Sequence, residues 1–162
     1  MMTKIKALFI PLMMTLALAG CSSVNTAANS SSADPSAPAT AHTLLDNVED
    51  DLLDARFFLG NERFDNNTKA LFGAELSSLS DGGTICNAEG GYADEVTVLK
   101  FKDDTDGQAL LEQHLESRRN TFRDYRPDEL AKLDKAKILE IDGFDVLIIS
   151  DNADAIEAAM KG

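Results

Sequence analysis

Apolar residues recur along this chain in two rhythms, and the changes of rhythm mark out its elements. Leu45, Val48, Leu52 and Ala55 follow helical spacing with Asp46, Asp50 and Asp54 opposite, which predicts a first helix. Asn66 to Phe72 predicts a shorter helix, stopped by Gly73. Past a loop rich in Ser and Gly, Thr84 to Asn87 reads as a weak strand. Glu95 to Lys102 is a better one, with Val96 and Val98 on one face and Thr97, Leu99 and Phe101 on the other. Leu111, Leu115, Phe122 and Tyr125 then form the inward stripe of a long helix over Asp106 to Tyr125. Arg126-Pro127 breaks it, and Pro127 suits the first turn of a second helix to about Leu133. Two apolar runs, Ala136 to Ile141 and Phe144 to Ser150, flank Asp142-Gly143, a turn pair that favours positive φ and predicts a β-hairpin. Ser150 or Asp151 is the expected cap of a last helix to Lys161. The expected fold class is α+β, a small antiparallel sheet of about four strands with helices packed on one side.

The first 20 residues follow neither rhythm. Lys4 and Lys6 precede an apolar run, Ala7 to Ala19, broken only by Thr15 and Pro11. Thirteen helical residues span about 20 Å, too short for a stable membrane crossing, so a secretory signal is expected. Leu18-Ala19-Gly20-Cys21 resembles the lipobox of bacterial lipoproteins. That resemblance implies cleavage before Cys21 and a diacylglycerol thioether on its sulfur. Several acyl chains, each buried CH₂ contributing about 0.8 kcal/mol, would hold the protein on the membrane. The implied location is the extracytoplasmic face of the cell membrane. In a host with two membranes, Ser22 resembles the sorting signal for the outer one.

Ser22 to His42 is Ser, Ala, Asn, Thr and Pro with no apolar period, the composition of a disordered tether. Residues 43–162 are then one domain. Loss of Lys4 and Lys6 leaves thirteen basic against 28 acidic side chains, a charge near −15. This argues against nucleic acid and against electrostatic binding to anionic lipid, both of which need clustered Lys and Arg.

Candidate chemistry is sparse. Asp103, Asp104 and Asp106 invite a calcium loop around Gly107, but Lys102 and Gln113 would occupy its first and twelfth positions, where acids are required. The simpler reading is acids at a helix N-terminus. Cys86 has no intramolecular partner once Cys21 is acylated, and reads as a small buried hydrophobe in a strand. A thiol enzyme or redox protein using Cys86, paired with His114, is the alternative from a different class. Two histidines and one spare cysteine form no recognisable zinc motif, and no cofactor is expected. Arg119, Arg123 and Arg126 lie at i, i+4 and i+7 with Arg118 beside them. They could simply complement the helix end and pair with nearby acids, such as Glu116 and Asp124. As a functional surface they form a candidate contact for an anion or a partner, since Arg forks grip carboxylate and phosphate. The acidic residues Asp46, Glu49, Asp50 and Asp54 read as a solvated helix face.

The segments "ADEVTVLKFKD" (93–103), "FRDYRPDELAKLDKAKILEIDG" (122–143) and "VLIISDNADAIEAA" (146–159) resemble an uncharacterised family of small bacterial lipoproteins, found mostly in Gram-positive anaerobes. The likeness covers roughly residues 44–160 and is strongest from 93 onward. It implies a single domain of unknown function behind a lipobox and tether, and no substrate. Similar proteins often carry an aromatic where this chain has Asp145, and tend to have a basic residue and an amide where it has His114 and Arg118. The expected function is therefore a membrane-anchored, non-catalytic binding or accessory module of the cell envelope. Its expected partners are membrane lipid through Cys21 and either an envelope protein or a small anionic ligand.

Overall fold

The computed structural model describes residues 37–162. The lipobox, Cys21 and the tether as far as residue 36 lie outside the described residues. Thr40 caps a short helix α1 (Ala41–Asp46), its hydroxyl accepting from the Thr43 amide. The last residues assigned to the tether thus belong to the domain: Ala41 is fully buried and His42 stacks on Phe58 at 3.6 Å.

The expected first helix is shorter and earlier than its spacing suggested. Asp50 Oδ1 accepts from the Leu52 amide and Asp54 Oδ1 from the Ala88 amide, so these acids hold turns. Asp50 Oδ2 also accepts from the Ser150 hydroxyl, tying the turn to the far end of the chain. Ala55 opens strand β1 (Ala55–Phe58). Helix α2 (Glu62–Phe72) ends at Gly73, whose φ of 68° is the left-handed cap that its lack of a Cβ permits. Strand β2 (Leu79–Cys86) begins earlier than expected, and β3 (Glu95–Phe101) follows. Helix α3 (Gly107–Tyr125) starts at Asp106, whose carboxylate accepts from the Ala109 amide, the capping role read for these acids. A 3₁₀ turn at Pro127–Glu129 leads into α4 (Leu130–Asp134). Strands β4 (Lys137–Ile141) and β5 (Phe144–Ile149) form the expected hairpin, with Asp142 at φ 51° and Gly143 at 76°. Helix α5 (Ala153–Lys161) closes the domain; Asn152 is its cap residue, and Ser150 accepts from the Asn152 amide.

The fold is α+β with one antiparallel sheet, as expected. It has five strands, in the order β1-β2-β3-β5-β4, the fifth being the short β1. Helices cover both faces, not one, because both faces of the central strands are apolar. Val96, Val98, Val146 and Ile148 meet α1 and α5, while Leu99, Leu147 and Ile149 meet α2, α3 and α4. Two cores therefore sandwich the sheet. Tyr125, expected in the inward stripe of α3, is 66% exposed, and His114 is buried among that stripe instead.

Candidate functional site

The second core is incomplete between α2 and α3, where polar residues replace apolar ones on the sheet. Phe57 pairs with Thr84 and Thr84 with Thr97, while Cys86 pairs with Glu95, so these side chains share one face. The Thr97 hydroxyl donates to Glu95 Oε1 at 2.8 Å. Its single proton being used, Thr97 must accept from Thr84 across 2.9 Å. His114 Nε2 approaches the same Glu95 oxygen at 2.8 Å from α3, and Arg118 Nε lies 3.4 Å from Oε2. Burial pushes the Glu95 carboxyl up, but His114, Arg118 and Thr97 together outweigh it and hold its pKa at about 2. The carboxylate is thus ionised, and His114 Nε2 carries the proton between them. The His114 ring also meets the Phe72 ring edge-on at 4.9 Å.

Beside this network opens a cleft of about 300 Å³. Its floor is Phe57, Thr84, Cys86 and Glu95; α2 supplies one wall through Arg63, Asn67 and Phe72; α3 supplies the other through His114 and Arg118. Tyr92, from the loop between β2 and β3, lies at one end. That loop is fastened from below. Arg126 donates to the Gly91 carbonyl at 3.0 Å and lies over the Tyr92 ring, and Arg118 Nη2 donates to the Ala93 carbonyl at 3.2 Å. A buried triad completes the fastening: Lys132 Nζ reaches Asp94 at 2.7 Å and Glu129 at 3.1 Å, while Glu129 accepts from the Ala93 amide.

The four arginines singled out from the sequence do not form one surface. Arg118 lines the cleft. Arg119 turns to Glu116, Asp134 and the Leu133 carbonyl, Arg123 to the Asn120 side chain, and Arg126 to Asp128 and the loop. Helical spacing aligned their Cα atoms, but each guanidinium follows its own acceptor, and the shared anion contact dissolves. Cys86 is half-buried in the cleft with His114 on the same lining; burial first, then Glu95, pushes its thiol up. No group of three metal-ligating side chains occurs among the described residues. Sequence reasoning missed Glu95 and Arg63. One signal was available: His114 interrupts the apolar stripe of α3 at a core position, where a polar side chain needs a buried partner.

Fold and cleft together define a two-faced α+β domain with a recess of small-molecule size. Residues 60–150, which contain every cleft residue named above except Phe57, match the family described as a domain of unknown function, DUF4358. The chain belongs to that family. No curated protein and no solved structure matches it.

Proposed function

We propose that this is a lipid-anchored extracytoplasmic protein whose domain binds a ligand in the cleft between α2 and α3 as a non-catalytic module of the cell envelope. The lipobox supports the anchor on Cys21, and the likeness to small lipoproteins of Gram-positive anaerobes supports the same placement. The observation that carries the binding reading is the cleft itself. About 300 Å³ is the lower end of what small-molecule sites occupy, and its wall mixes aromatic faces with a few convergent polar groups. Glu95 accepts from both Thr97 and His114 on one oxygen and is ion-paired with Arg118 on the other, which suits holding a shape better than moving protons.

A thermal-shift screen of the protein against small molecules tests this. A ligand at 100 times its Kd stabilises by about 2.7 kcal/mol, and it should also protect Cys86 from a maleimide. A folded protein that responds to no small molecule, and whose Cys86 is never protected, would transfer the role to a protein partner. The anchor has its own test: Cys21→Ala should abolish labelling by palmitate and release the protein from membranes. A second reading, thiol chemistry at Cys86, is favoured by the shared lining with His114. It is weakened by the raised thiol pKa, which leaves little thiolate at neutral pH. Cys86→Ser would abolish such an activity and leave a binder intact.

A further inference from the structure

The lining of the cleft is cationic in a chain whose formal charge is −13. Two arginines, Arg63 and Arg118, face a single carboxylate, Glu95, and that carboxylate already accepts from Thr97 and His114. Arg63 has no carboxylate within ion-pair distance among the described residues. Its guanidinium carbon lies over the Phe57 ring at 4.5 Å from the centroid, and the side chain lines the cleft. The guanidinium carbon of Arg118 lies 4.9 Å from the Phe122 ring centroid. Its Nε is buried 3.4 Å from Glu95 and its Nη2 donates to the Ala93 carbonyl, so the charge of the guanidinium is held at a fixed place on the α3 wall. Arg63 on one wall, with no carboxylate partner, and Arg118 on the other are the two cations that an anion in the cleft would meet, and together they form an anion clamp.

The rest of the lining narrows the anion. Phe57, Phe72 and Tyr92 offer aromatic surface, while Asn67 and Asn87 add neutral polar groups at the rim. A recess of about 300 Å³ suits one small molecule, and the negative field of the whole chain disfavours a multiply charged approach. We infer that the cleft takes a small organic monoanion with an apolar body, its head held by Arg63 and Arg118 and its body laid on the aromatic wall. This rests on the cleft being the ligand seat.

The test is calorimetric titration of the full chain in mild detergent with 3-phenylpropanoate, hexanoate and octanoate, each against its primary amide, with inorganic phosphate as the bare anion. The expected result is 1:1 binding of at least one carboxylate, with its amide about tenfold weaker or worse. Arg63→Gln, an exposed position whose loss spares the fold, should weaken the carboxylate to the level of the amide at an unchanged Tm. Three results overturn the inference. If acid and amide bind alike, the anion clamp is wrong and the cleft survives as a neutral seat. If phosphate binds as well as the acids, the apolar body is wrong. If no acid binds, or acids bind without protecting Cys86 from maleimide, the clamp is wrong; should the amides also fail to protect Cys86, the cleft as a seat falls with it.

Discussion

Removing the Glu95 carboxylate takes an acceptor from Thr97 and His114 and an ion-pair partner from Arg118. Glu95→Gln keeps the shape but halves the acceptors, and should cost roughly 1–3 kcal/mol of stability by urea unfolding at neutral pH. The pH dependence has a definite sign. Its carboxyl has a pKa of about 2 when folded against an ordinary 4.5. The folded state therefore gains stability from it above pH 4.5 and loses that gain as pH falls toward 2. Urea midpoints of the wild type should fall through this window, and those of Glu95→Gln should fall less; equal slopes would assign acid sensitivity elsewhere. Cys86 titrates in the opposite sense. Its raised pKa predicts slow maleimide reaction at pH 7 that climbs steeply in alkali, read by mass spectrometry of the modified chain.

Among the elements, β2 shows how one strand can serve two cores. Its Gly82-Gly83 pair lies where helices press from both faces. A Cβ on Gly83 would meet Phe58 at 2.6 Å and Leu45 of α1 at 3.0 Å; one on Gly82 would meet Phe64 of α2 at 3.2 Å. Gly83→Ala should destabilise by about 1–3 kcal/mol through overpacking, and Gly82→Ala by less, measured as a paired loss of urea midpoint. This pair also explains what was hard to read from sequence. Two glycines hide the alternation of β2, so only its end, Thr84 onward, looked like a strand. The helical spacing of Leu45 to Ala55 was coincidental, since Asp50 and Asp54 spend their side chains on turn amides. Where a run carried its own punctuation, it was legible: Gly73 after α2, Asp106 before α3, Pro127 before α4 and Asp142-Gly143 between β4 and β5.

At the scale of the molecule, the domain begins earlier than its composition suggests. Ala39 and Ala41 pack into the first core, Thr40 caps α1, and the Ala41 amide donates to Asp81 at 2.9 Å. A chain beginning at residue 43 should melt lower than one beginning at 37, by about 1–2 kcal/mol for the lost cap and hydrogen bond; equal Tm values would show these contacts to be idle. The cleft was the least legible feature for a related reason. Its lining comes from β1, α2, β2, a loop, β3 and α3, and only the sheet register brings them together, so no local pattern announces it. The four arginines were visible, yet only Arg118 reached the cleft, because side-chain destination depends on acceptors contributed by distant segments.

The two-faced sheet has one more consequence. The chain enters the domain through α1, on the face it shares with α5, while the cleft opens on the opposite face, among α2 and α3. A cord tied to the N-terminal end, whether a lipid, a bead or a sensor chip, would pull from the back of the domain. The mouth faces away from that point of attachment, so the domain is moored from the side that does not carry the cleft.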